Sequence, residues 1–317
     1  MTPPEILPLA LNTIAPAFFK ALGLAALAAP VWAWSCGLAA RAQGKAFYAK
    51  LGRQVADMGL WLGPCLLALS VVSGWLTALR LSWIGPWLTR ADSPFLWAFT
   101  CAALAFACLP PLRAGLGRPA NTSAAYLLLG LIAVPAAVTA LFLVLAGTRW
   151  IGRLTLSGAD LAPPPPLPEL LALPATSLFW PLLGSSLCLS AGLCGVAALL
   201  YLLLRRTRDD FGRDYYVFAL KLAARSAAVP LLLLLPCLAW LVAAMPDELK
   251  ALALTGQTAW AGGIGALLFA ACAGGLALVA RSQNPLRLKG LIVGTGLGAW
   301  AGLTLLAAGG LRLFLSL

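Results

Sequence analysis

The sequence predicts an all-α integral membrane protein of eight transmembrane helices, arranged as two tandem parallel four-helix bundles. Three observations lead there. Runs of about 20 apolar residues, each long enough to cross a ~30 Å hydrocarbon core as a helix, recur along the whole chain. Charged residues make up 10% of it and mean hydropathy is +0.93, whereas soluble domains carry about 25% charge. A hydrophilic break from Arg149 to Pro174, centred on Pro163–Pro166, separates four apolar runs from four more that echo them. Lipid obliges a backbone to satisfy its own hydrogen bonds, which a helix does locally. The short alternating segments of a β-barrel are absent.

Taken in order, the expected spans are 14–40, 58–79, 93–112 and 122–148, then 176–204, 216–245, 256–281 and 287–315. The chain therefore divides into a first repeat over 1–148, a proline-rich, outward-facing linker over 149–175 and a second repeat over 176–317. Gly44–Asp57 is short, basic and aromatic and is expected to lie as an amphipathic turn at the cytoplasmic surface before the second span. The stretch Arg205–Arg225 is expected to do the same before the sixth, contacting lipid headgroups or a soluble partner. Asn284 and Pro285 mark the entry to the eighth span.

Matches run through all four helices of each half. Phe18-Phe19-Lys20 and Gly23 correspond to Phe179-Trp180-Pro181 and Gly184. Phe47-Tyr48 corresponds to Tyr215-Tyr216, and Pro64-Cys65 to Pro236-Cys237. Trp97-Ala98 corresponds to Trp260-Ala261, and Gly147-Thr148-Arg149 to Gly310-Leu311-Arg312. An even number of spans per unit makes the copies parallel. Small residues such as Gly130, Gly184, Gly265 and Gly302 let helix backbones approach closely, and tryptophans near the span ends fit an interfacial belt.

Fifteen of the 22 basic residues fall in the odd-numbered loops, among them Arg41, Lys45, Lys50, Arg205, Arg206 and Arg287. Basic loops stay cytoplasmic, so both termini should face the outside, the periplasm if the membrane is a bacterial inner membrane. The net charge of +12 reads as topology rather than as nucleic-acid binding. Met1–Thr13 carries Glu5 and no basic residue, unlike the charged start of a signal peptide.

The chain has no histidine and three methionines, Met1, Met58 and Met245. Bis-histidine or His/Met haem ligation by this chain is thereby excluded. Eight cysteines lie inside apolar runs without CxxC spacing, so zinc and iron–sulfur sites are not expected; the thiols read as small buried side chains. No Asp or Glu lies between Asp92 and Asp160 or between Glu169 and Asp209. The buried acids usual in proton-coupled transporters are missing there, and no G-x-S-x-G supports hydrolysis.

Gly44-Lys45-Ala46-Phe47-Tyr48-Ala49-Lys50-Leu51-Gly52-Arg53-Gln54, followed by Ser73-Gly74-Trp75, resembles the first loop and second helix of the large subunit of cytochrome bd-type quinol oxidases. The resemblance spans roughly residues 15–80 and is architectural beyond. It implies two four-helix bundles and an outward N-terminus. The haem ligands and acidic relay of that family have no counterpart here, and Phe18-Phe19 stands near the place of its first-helix ligand. The implied protein is a haemless relative that cannot reduce oxygen. The overall plan is also similar to the haem-free, quinone-binding NrfD-like subunits.

The expectation is an integral membrane subunit of a respiratory, electron-transfer complex. It would bind no haem and no covalent cofactor, interact with quinone or act as a scaffold, and leave the redox carriers to partner cytochrome or iron–sulfur subunits. Lys20, Trp180 and Arg149 are the candidate quinone contacts at the outer face; no catalytic or metal-binding residue is assigned. The alternatives are a small-solute or lipid permease using a cleft between the bundles, and a structural membrane anchor.

Overall fold

The structure is a computed structural model describing residues 6–80, 85, 88–116, 124–157, 167–209 and 211–315; at 80, 149–157, 314 and 315 it describes the backbone alone. The first half holds α1 (Ile6–Gln43), α2 (Ala46–Arg80), α3 (Pro94–Ala107), α4 (Leu109–Gly115) and α5 (Ala124–Ser157). The second holds α6 (Leu167–Leu171), α7 (Phe179–Arg205), α8 (Arg213–Ala243), α9 (Asp247–Ala253), α10 (Gly256–Arg281) and α11 (Lys289–Leu315). No strand occurs among the described residues. Eight helices, counting α3 and α4 as one and omitting the short α6 and α9, are long and apolar enough to cross a membrane. Large apolar side chains such as Trp61, Leu131, Trp260 and Leu267 stand more than half exposed on the outside of the bundle. A surface of that kind belongs in lipid, and the protein is a multi-pass integral membrane protein.

Several expected boundaries are corrected. The stretch 44–57 is no surface turn, because α1 and α2 are joined by Gly44 and Lys45 alone and α2 runs unbroken from Ala46. Leu51, Val55, Ala56 and Met58 are buried on one side of those early turns, while Arg53 is exposed. In the same way α8 begins at Arg213, so 213–225 is the start of a long helix rather than a surface turn. Helix α1 starts at Ile6, eight residues earlier than expected, and α5 continues through Arg149 to Ser157, into what reads as linker. Pro163–Pro166 lie outside the described residues. Pro285 does open the last span, within a 3-10 turn over Pro285–Leu288.

Both joints into the second helix of a half use a left-handed glycine, Gly44 at φ 64° and Gly212 at φ 82°. A side chain there would be strained. Each glycine stands three residues before an aromatic of the matched pairs, Phe47 and Tyr215. Within the first half, α1 packs on α2, α2 on α3 and α4, α3 on α5, and α5 back on α1. Within the second, α7 packs on α8, α8 on α10, α10 on α11, and α11 back on α7. Helix α1 joins the halves, lying against α7 and α11, while α5 and α2 also reach α7.

Glycines set the helix separations. A Cβ built on Gly195 of α7 would lie 2.6 Å from Ala227 Cβ and 3.0 Å from its Cα in α8. On Gly59 it would meet Ala29 of α1 at 2.9 Å, and on Gly265 the carbonyl of Gly302 at 3.2 Å. With no hydrophobic drive between helices in lipid, this close van der Waals packing is what holds them.

Candidate functional site

A crevice of ≈ 220 Å³ opens where the halves meet, walled by α1, α5, α7 and Ser226 of α8. Leu27, Val31, Val138, Leu141 and Leu187 make it apolar, and no charged side chain lines it among the described residues. Its polar groups are Trp32 and Ser35 of α1, Ser190 and Cys194 of α7, and Ser226.

Each serine hydroxyl already donates to a backbone carbonyl. Ser35 Oγ donates to Val31 O at 2.8 Å, Ser226 Oγ to Ala223 O at 2.9 Å, and Ser190 Oγ crosses from α7 to Leu24 O of α1 at 2.6 Å. A hydroxyl whose proton is committed still offers its oxygen lone pairs. The serines therefore act as acceptors. The Trp32 indole N–H meets no acceptor among the described residues, and it is a donor only. One donor and three acceptors in an apolar cleft suit a flat, uncharged head group carrying carbonyl or hydroxyl oxygens.

The expected contacts fare differently. Lys20 is the fifteenth residue of α1 and is exposed, without an ion pair among the described residues. Trp180, in the first turn of α7, donates its indole N–H to Pro174 O at 3.0 Å and abuts Phe179 edge-on at 5.5 Å. Its one donor is occupied. Among the described residues no hydrogen bond or ring contact joins Lys20 to Trp180, and the Arg149 side chain lies outside them. Neither Lys20 nor Trp180 lines the crevice. Among the described residues no three His, Cys, Asp or Glu side chains are grouped to hold a metal ion.

A second polar arrangement ties the halves at the end carrying Lys45 and Arg205. Tyr215 of α8 is fully buried and donates its hydroxyl to Gln54 Oε1 of α2, itself 4% exposed. Gln54 Nε2 donates to Asp209 Oδ2 at 3.1 Å, which also accepts from Arg205 Nε at 3.2 Å. Tyr216 Oη donates to the Asp209 carbonyl at 2.8 Å. Around this chain Phe47 meets Tyr215 at 5.9 Å and Phe218 at 5.6 Å, and Tyr48 meets Phe218 at 4.9 Å. Lys50 Nζ sits 5.1 Å over the Phe211 ring, in cation–π range. The aromatic pairs matched between the halves in sequence thus meet in space. Sequence reasoning found those aromatics but not Gln54 or Asp209 as their partners.

No family model matches the chain, and no curated protein and no solved structure is significantly similar to it.

Proposed function

We propose that the chain is a haem-free integral membrane subunit that receives a quinone-class head group in the crevice between α1, α5 and α7. It would serve an electron-transfer complex whose redox carriers reside on partner cytochrome or iron–sulfur subunits. The crevice carries this reading: an apolar cleft between the halves with a free indole donor and three hydroxyl acceptors. A quinone carbonyl suits Trp32, and the hydroxyls of the reduced quinol suit the serine oxygens. The lack of histidine and the scarcity of methionine leave electron carriage to other subunits. We further read the halves as tandem parallel copies, supported by the same packing order in each and by the matched Gly44 and Gly212 joints. The loop charges support termini on the outside of an inner membrane.

The crevice now takes the place of Lys20, Trp180 and Arg149 as the proposed quinone contact. An ion or charged-solute permease is disfavoured by the uncharged lining. A lipid-handling permease would use the same cleft and is separated by its company. The test is purification from native membranes in mild detergent, with mass spectrometry of the co-purifying proteins and solvent extraction of quinones. The expected result is stoichiometric redox subunits and bound quinone, with quinone lost in Ala191→Phe, which puts a ring into the exposed wall of the crevice. Quinone without redox subunits would overturn the complex and favour the permease. Redox subunits with no quinone would overturn the crevice assignment.

A further inference from the structure

The cysteines read from sequence as inert buried side chains, and the structure separates two of them from the rest. Cys188 of α7 and Cys237 of α8 stand with their sulfurs 4.0 Å apart, and each is only partly buried. Among the described residues no other two thiols are so placed. Cys36, Cys108, Cys194 and Cys272 are buried, and Cys272 donates to Thr295 O at 3.4 Å; Cys101 is partly buried with no thiol beside it, and Cys65 is exposed. The α7–α8 contact that brings the pair together is among the tightest in the molecule. Gly195 and Gly192 seat α7 directly on Ala227 and Leu231 of α8, and Gly184, one turn before Cys188, would carry a Cβ 3.6 Å from Cys237 Sγ.

We propose that Cys188 and Cys237 are an oxidisable dithiol that closes into a disulfide stapling α7 to α8. Closure brings the sulfurs from 4.0 Å to a bond of about 2.05 Å, by side-chain rotation between helices already in contact. Both S–H bonds break, one S–S bond forms, and two protons and two electrons leave. A quinone takes all four and departs as the hydroquinone. The staple itself stands on the geometry of the pair alone; only the assignment of its oxidant rests on the quinone reading. Leu187 and Ala191, on either side of Cys188 in sequence, line the crevice, so an oxidant there lies one helix face away. The pair also lies toward the ends of α7 and α8 remote from the Arg205–Arg213 connection. Closure therefore adds a second covalent link, far from that loop, between two helices already packed together.

The test treats membranes containing the full-length protein with diamide, then denatures them and labels free thiols with a maleimide carrying polyethylene glycol. The untreated protein offers eight thiols. Two adducts are expected to vanish on oxidation and to return with dithiothreitol. Cys188→Ser and Cys237→Ser should each start from seven adducts and lose none. Both variants conserve volume at partly buried positions, and their elution profile in detergent verifies folding. Retention of all eight adducts, or an undiminished loss of two in Cys188→Ser, overturns the staple. A parallel sample receives decylubiquinone in place of diamide. Closure by both reagents supports the quinone as oxidant. Closure by diamide alone overturns that oxidant while the staple stands, and leaves the crevice to be judged by quinone extraction.

Discussion

Removing the Tyr215 hydroxyl should loosen the join between the halves, by an amount that depends on Gln54. Tyr215 is 0% and Gln54 4% exposed, so neither has water as a substitute partner. In Tyr215→Phe, one hydrogen bond worth about 1 kcal/mol net disappears and Gln54 Oε1 is left without its donor, which adds desolvation; together about 1–3 kcal/mol. In Gln54→Leu the same bond is lost along with the one to Asp209 Oδ2 at 3.1 Å, and the stranded group is the Tyr215 hydroxyl. Asp209 keeps Arg205 at 3.2 Å, so the cost is again about 1–3 kcal/mol. The double variant leaves neither the stranded carbonyl nor the stranded hydroxyl. It should lose less than the sum of the singles, with a coupling of roughly 1 kcal/mol or more. The assay is thermal unfolding in detergent followed by size-exclusion fluorescence. At roughly 2 °C per kcal/mol for a chain of this size, each single variant should melt about 2–6 °C low. Additive losses would refute the reasoning, since two buried side chains that share a hydrogen bond cannot be independent.

Other outcomes follow from the same contacts. Gly195→Ala must push α7 from the Ala227 backbone at 3.0 Å; overpacking of about 1–3 kcal/mol should lower the melting temperature, whereas Gly263→Ala, with nothing within 4 Å, should leave it unchanged. Trp180→Phe forfeits only an exposed bond to Pro174, so the melting temperature should fall by less than about 2 °C and the quinone content of the purified protein should not change. Asp57→Asn weakens the surface ion pair with Arg113, whose side chain is 52% exposed. After solvent screening the effect should be under about 1 kcal/mol, within about 2 °C by the same melting assay.

The span 256–281 could be read from sequence residue for residue as α10, because Gly256 opens it and Arg281 closes it at abrupt polar boundaries. The start of α2 could not. Lys45, Lys50 and Arg53 gave its first turns the composition of a surface segment, and the burial of Leu51 and Val55 depends on α1 folding back beside them. Arg149 misled in the same way, as α5 carries it onward for two more turns. Aromatic matching located Tyr215, whose position follows from the echo with Phe47. The crevice had no such signal. Ser35, Ser190 and Ser226 are single hydroxyls in apolar runs far apart in sequence, and only the approach of three helices makes them neighbours. Trp180 looked like a ligand contact because its own acceptor, the Pro174 carbonyl, is a backbone atom that sequence does not display.

The seam where α1 meets α10 and α11 bears on how the molecule is made. Ile6 N donates to Gln257 Oε1 at 2.9 Å, across 251 residues, and Arg312 donates to the same oxygen. Trp300 Nε1 donates to Ile14 O at 3.0 Å. Helix α1 thus leaves the ribosome and enters the bilayer long before two of its neighbours exist. During translation of α2 to α10, the face bearing Thr13 and Ala17 has only lipid, or an insertion chaperone, to cover it. The final architecture cannot close until α11 has been threaded, and premature termination ahead of it leaves an open flank on the first helix for membrane quality control to recognise.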